Sequence, residues 1–390
     1  MTDMHDDGAT IGWYRTPIPR PVLTRLNARS DIKGFLRCCG ILGLLACTGT
    51  ATLWSAFSGH WIYTPFLLFL HGTVGSFNIN AVHELCHNTV FKTKWLNGLF
   101  VRIFGFIGWS DWVWFNTSHA NHHRYTLHPP RDGEVVLPIL WTTRKIFWQS
   151  AILFPKAPYQ NIKGALRKAR GAWTDEWTLK LFPPDKPAER QHLINWNRAV
   201  LIGHGLIFLG TIIGAVLAWN WAWLLVPHVV SFSATYGGWL FFLCNNTQHV
   251  GLTDKTPDFR MCCRTMKLPW IASCLYWNME YHTEHHMYAA VPCYNLRKLQ
   301  KEIAFDLPKP KGLVATWREI EMILKRQETE PEYQYEHLLP DTASPKVYGD
   351  SAHEKEAGEA PVDAGAVCDD LNLEGADDTT KDAKTTTCPP

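Results

Sequence analysis

The sequence predicts an all-α integral membrane protein: four transmembrane helices in two hairpins, a cytoplasmic helical cap, and interfacial amphipathic helices. Three observations lead there. Four apolar blocks contain no Asp, Glu, Lys or Arg, and each is close to the ~20 residues that cross a ~30 Å hydrocarbon core as helix. Charged residues make up only 19% of the chain, against roughly 25% in a typical soluble protein. Tryptophan is in excess, 19 beside 12 Tyr and 19 Phe, as where aromatic belts sit at membrane interfaces.

Taken in order, residues 1–36 form a cytoplasmic N-terminal segment that is polar and Pro-containing, with no apolar signal region. It carries Arg15, Arg20, Arg25, Arg29 and Lys33 directly before the first apolar block. The membrane domain is placed at 37–340, with spans at about 41–57 and 61–82, then 199–219 and 221–244. The connections within each pair hold no Lys or Arg, whereas the flanks Arg15–Arg37, Lys92–Arg102 and Arg260–Lys267 hold many. By the positive-inside rule both termini and the long segments are cytoplasmic. Leu96–Phe115 and Ile139–Phe154 mix apolar, aromatic and charged residues and read as helices lying in the interface. From Asp341 onward four Lys face twelve acidic residues, a charge of −8 that leaves +10 on the rest. Almost without large apolar side chains, 341–390 reads as a disordered acidic tail. An odd count of 11 scattered Cys excludes a secreted disulfide scaffold. The basic residues flank apolar spans, which points to anionic lipid rather than nucleic acid.

The chemistry lies in three histidine clusters: His83-Glu-Leu-Cys-His87, His119-Ala-Asn-His122-His123 and His282-Thr-Glu-His285-His286. On a helix, residues three or four apart share a face, so each cluster aims its imidazoles one way. A lone histidine is more often a satisfied core or surface residue; HxxHH twice with HxxxH is a ligand pattern. The first cluster starts where the second span ends, the second lies in the same cytoplasmic stretch, and two further crossings return the third to that face. Asn245-Asn-Thr-Gln-His249 adds one more imidazole at the end of the fourth span. Nine histidines are too many for one metal. All-nitrogen ligation suits Fe, Zn, Cu or Ni and favours a redox metal over Mg or Ca.

From about Arg37 to Leu307 these residues resemble the integral-membrane fatty acid desaturase and hydroxylase family, the three-histidine-box di-iron enzymes. The resemblance implies that His83, His87, His119, His122, His123, His282, His285 and His286 bind metal. His249 matches the additional histidine of the acyl-CoA branch, and Asn245 matches a water-linked amide one turn before it. The first box is HxxxH, as in acyl-lipid, sphingolipid and carotenoid-modifying members. The implied activity is a dioxygen-dependent oxidoreductase with two iron ions that introduces a double bond into a fatty acyl or lipid-like chain. A hydroxylase or ketolase acting on a lipid or specialised metabolite is the alternative. No HPGG haem motif is present, since His128-Pro-Pro is not one. Electrons therefore come from a separate donor such as cytochrome b5 or ferredoxin with its NAD(P)H-dependent reductase, and the location is the endoplasmic reticulum if the source is eukaryotic.

Two other classes are weighed. His83-Glu84-x-x-His87 is also the zincin HExxH pattern with Glu84 as general base, but a membrane metalloprotease needs one further ligand and leaves the other patterned histidines unused. A receptor or scaffold leaves all of them unexplained. Glu84 is expected to orient an imidazole, with Glu284 and Asp111 as weaker candidates. His71, His204, His128 and His228 read as ordinary structural histidines, although His71 and His204, inside spans, are polar enough to line a cavity. Cys86 reads as packing. The pairs Cys38–Cys39 and Cys262–Cys263 are candidate palmitoylation sites, with packing the plainer reading.

Overall fold

The computed structural model describes residues 10–135, 147–148, 151–152 and 156–348. The expected interfacial helix at Ile139–Phe154 falls largely outside these residues, as does the tail from 349 onward. The described residues are mostly helical; the two-residue strands Met266–Lys267 and Lys311–Gly312 pair in parallel.

Two helices are long and apolar enough to cross a membrane, Asp31–Phe57 and Pro187–Leu217. Ser30 caps the first by accepting from the Lys33 N–H, and the Asp31 carboxylate takes both the N–H and the hydroxyl of Thr93. The outer faces carry exposed Leu44, Trp54, Ile202, Leu206, Leu209 and Ile212. A turn returns the chain from Asp31–Phe57 along a second helix, Thr64–Gly75.

The other two apolar blocks are not the continuous helices expected. The second breaks at Ser76–Phe77, after which Asn78–Cys86 forms a separate helix ending at the first histidine cluster. The block 221–244 divides into the 3-10 turn Trp221–Leu225, the helices Val226–Val230 and Trp239–Asn245, and a second 3-10 turn at Ser233–Thr235. Glycine explains the second break. Gly237 has φ +65°, and a Cβ there would lie 2.5 Å from the Phe69 carbonyl oxygen. A Cβ on Gly72 would lie 2.2 Å from the Tyr236 ring. The fourth block thus folds back against Thr64–Gly75 at a separation only glycine permits.

His71 and His204 tie these pieces together instead of lining a cavity. His71 bonds Thr48 Oγ1 at 2.8 Å and the Val229 carbonyl at 2.9 Å. His204 bonds Ser231 Oγ at 2.8 Å and the Phe106 carbonyl at 3.0 Å, with its ring stacked between Phe106 and Trp109. Both nitrogens are used, as polar groups inside a membrane-type bundle require.

Three further expectations change. Leu96–Phe115 is two elements, the helix Lys94–Ile107 and the start of Trp112–Tyr125. Within the presumed basic flank Arg260–Lys267, Arg260 is fully buried and Arg264 is 5% exposed, so neither contacts lipid headgroups. Cys262 and Cys263 are also fully buried, which removes them as acylation sites.

The tail boundary moves as well, because residues 342–347 pack on the body rather than being disordered. The Ser344 and Pro345 carbonyls accept from Arg260, the Ser344 N–H donates to Asp306 Oδ1, and the Val347 carbonyl accepts from Thr256. Removing residues 349–390 should therefore leave the melting temperature and turnover unchanged. Removing 341–390 strips two acceptors from a buried guanidinium and should cost roughly 1–3 kcal/mol. Thermal unfolding of the two truncations in detergent checks this; equal melting temperatures would contradict it.

Candidate metal centre

The site is assembled from three short helices and one turn. Asn78–Cys86 supplies His83 and, as its C-terminal cap, His87. Trp112–Tyr125 supplies His119, His122 and His123; Asp111 caps its start by accepting from Trp114 N. His282–Met287 supplies His282, His285 and His286. His249 comes from the turn after Trp239–Asn245.

These nine histidines fall into two adjacent groups. His83, His87, His119, His123 and His285 form one; His122, His249, His282 and His286 form the other. Within each group every ligand nitrogen lies within 4.8 Å of the rest. The HxxHH spacing explains the division. In the second cluster the i and i+4 residues, His119 and His123, enter the first group while His122 turns to the second. In the third cluster His282 and His286 enter the second group while His285 turns to the first. Two neighbouring helical faces thereby serve two neighbouring centres.

Five of the outer nitrogens meet acceptors. His83 Nδ1 faces Glu84 Oε1 at 2.9 Å, His119 Nδ1 faces Glu134 Oε2 at 3.1 Å, and His122 Nδ1 faces Asp132 Oδ2 at 2.9 Å. His249 Nδ1 meets the Cys262 carbonyl at 2.8 Å, and His286 Nδ1 meets Thr126 Oγ1 at 3.1 Å. A carbonyl only accepts, so the His249 proton is on Nδ1 and its Nε2 carries a lone pair. That Nε2 lies 2.8 Å from His282 Nε2, which in turn lies 3.1 Å from His286 Nε2. In the other group His123 Nε2 is 3.0 Å from His119 Nε2 and 3.1 Å from His285 Nε2. A ring N–H can bridge one such pair, but four or five ring nitrogens within 4.8 Å of one another are more than ring protons alone can pair, and a cation among them satisfies the set. His87 Nε2 is buried without a hydrogen-bond partner, as are Nδ1 of His123 and His282, and His285 Nδ1 has only Glu84 Oε1 at 3.8 Å. The donor set therefore fits two nitrogen-ligated metal ions.

Electrostatics agree. Burial drives His83, His87 and His249 down to about 3, and His119, His123, His282, His285 and His286 well below the usual imidazole range. Neutral imidazole is the ligating form. His122 is the exception. Burial again lowers it, but the charge and hydrogen bond of Asp132 outweigh burial and raise it. Burial also raises Glu84, Glu134 and Glu284 to about 7.

The structure brings together all eight box histidines and His249. Asn245 is half-buried at the end of its helix, one turn before His249. Glu84 holds His83 as expected, which occupies the carboxylate a zincin base would need. Asp111 does not touch an imidazole: it bonds Lys168 Nζ at 2.8 Å and Asn197 Nδ2 at 2.9 Å. Glu284 accepts from the Thr265 hydroxyl. Sequence reasoning missed Asp132, Glu134, Thr126 and the Cys262 carbonyl. The acidic pair in Arg131-Asp-Gly-Glu134, just beyond the second cluster, was the available signal. Leu127 has φ +56°, and its N–H joins that of Glu134 on the Asp132 carboxylate, so the chain reverses and returns both acids to the imidazoles.

A family model described as fatty acid desaturase matches residues 19–317. The chain belongs to the fatty acid desaturase family. It is 24% identical over 256 residues to an acyl-lipid (9-3)-desaturase of Physcomitrium patens, covering 60% of this chain and 46% of the relative. It is 25% identical over 249 residues to a Delta(6)-fatty-acid desaturase of Caenorhabditis elegans, covering 57% of this chain and 54% of the relative. The chain thus spans about half the length of the curated relatives it matches. The three histidine clusters that form the two groups all lie within the matched residues.

Proposed function

We propose that this protein is a dioxygen-dependent di-iron desaturase that introduces a double bond into a fatty acyl or lipid-like chain. The observation carrying this reading is the convergence of nine imidazoles into two groups, each with its nitrogens within 4.8 Å of one another. The names of the two relatives favour a fatty acyl chain. In the groups the first iron would be held by His83, His87, His119, His123 and His285, the second by His122, His249, His282 and His286. When bound, the iron pair supplies dioxygen activation and hydrogen abstraction from an unactivated methylene. The chain's own residues hold it in place: Glu84, Glu134, Asp132 and the Cys262 carbonyl keep protons on outer nitrogens and set each ring's angle, as outer partners of ligating histidines do. Burial of every ligand except partly exposed His87 and His123 excludes bulk water from the reacting chain.

We further propose a multi-pass membrane protein with cytoplasmic termini, and an acidic carrier docking on the basic cytoplasmic face. Elemental analysis of purified protein should find two iron ions per chain. Expression in a desaturase-deficient host should yield a lipid two hydrogens lighter than its parent. Zinc as the sole metal, or unchanged lipids from metal-loaded protein, would overturn the reading. Turnover with a purified cytochrome b5 or ferredoxin should fall as salt rises, since screening extends over ~10 Å at 0.1 M; a flat response would remove the electrostatic docking.

A further inference from the structure

A cavity of about 20 Å³ lies beside the third histidine cluster, outside both metal groups. Thr283 of that cluster lines it, as does Thr265, whose hydroxyl donates to Glu284. Its charged lining is Arg264, Lys309, Lys311 and Glu319. The Glu319 carboxylate is already engaged on both oxygens, by Arg264 Nε at 3.2 Å and by Lys311 Nζ. Three cations therefore face one neutralised carboxylate, leaving an excess of positive charge. Lys309 is exposed at the rim, and an ammonium has three donors, of which Glu319 takes one from Lys311.

His337 is the second, independent observation. It lines the same cavity, is 8% exposed, and its Nε2 is buried with no partner among the described residues. Burial, with the charges of Arg264, Lys311 and Lys346, holds it well below the usual imidazole range. It is therefore neutral and can offer an N–H without adding charge. A buried donor left unpaired costs about 1–3 kcal/mol, which a bound acceptor would recover.

We propose that this cavity binds a phosphate group, with His337 Nε2, Lys309 and Lys311 as its donors. Phosphate matches the lining in sign, carries up to two negative charges, and offers several acceptor oxygens to donors arriving from different elements. The enclosed space takes one phosphate oxygen beside His337, and the rest of the group lies at the mouth between the exposed Lys309 and Lys311, which a single water does not bridge. Thr283, which lines the cavity, is adjacent to His282 of the third histidine cluster. The group could belong to free phosphate, to a coenzyme A thioester or to a phospholipid headgroup.

The test uses the full-length protein in detergent. Inorganic phosphate is titrated at constant ionic strength against a chloride control, and binding is followed by 31P line broadening and by melting temperature. Saturable binding is expected. Lys309→Met and His337→Leu should each weaken it about tenfold, the scale of one charge-assisted hydrogen bond, while His337→Gln, which keeps a donor, should retain it. Lys309 is exposed, so its variant folds independently of the outcome. Coenzyme A binding at least tenfold tighter than phosphate would assign the thioester. Binding recovered only in nanodiscs containing phosphatidic acid would assign the headgroup, and equal affinity of all three the free anion. Stabilisation no greater than by chloride in every arm, or affinity unchanged in Lys309→Met and His337→Leu, would overturn the proposal. None of these readouts depends on iron or turnover.

Discussion

Replacing His285 by alanine is expected to abolish product, at least a hundredfold loss, and to weaken metal binding in its own group, which keeps four imidazoles. His285 belongs to the five-histidine group; its ring centroid lies 4.8 Å from those of His83, His87 and His123, and its Nε2 lies 3.1 Å from His123 Nε2. The other group keeps all four imidazoles in the variant. His282→Ala should do the reverse, weakening metal binding in the second group while leaving the first. A milder change separates ligation from orientation. Asp132→Asn keeps the ligand but weakens the acceptor that fixes His122, and losses of roughly 10–100-fold in metal affinity follow such changes. Iron per chain, measured beside product formation in membranes, checks all three. Two bound ions and undiminished product in His285→Ala would remove that residue from the ligand set.

Much of the centre was legible because its information is local. Helical spacing alone aims His119 and His123 one way and His122 another, and three clusters in one chain exceed what core histidines produce. The two long apolar helices were legible from apolar length without charge. What was not legible depends on distant approach. Nothing near Gly237 says that Tyr236 will meet Gly72, so the fourth block read as one helix although its chain turns back. Asp132 reaches His122 only because the backbone reverses at Leu127. The Cys262 carbonyl has no sequence signature as an acceptor for His249. Arg260 and Arg264 read as membrane-flanking cations, because composition cannot say which arginine will find buried carboxylates.

Arg260→Met is expected to destabilise the fold by about 3–5 kcal/mol, the usual cost of removing one partner from a buried ion pair. The guanidinium is fully buried, bonding Asp258 through Nε and Nη2 and Asp306 Oδ1 through Nη1 at 2.7 Å. It also stacks 4.0 Å over the Tyr14 ring. Removing it leaves two carboxylates without a counter-charge. Lysine keeps the charge but cannot fork to both acids and should recover only part of the loss. The effect should reach the metal centre along two paths. Cys262, two residues on, orients His249, while the Phe259 ring packs 5.4 Å from His286 and 4.0 Å from Trp13. Iron should therefore be lost first from the four-histidine group. Hydrogen exchange should quicken at Tyr14–Thr16 and at Ser344–Val347, the two segments that meet on this arginine. Denaturation within about 0.5 kcal/mol of the parent, the range of an ordinary surface change, would mean that solvent or the terminal segments replace the guanidinium without cost.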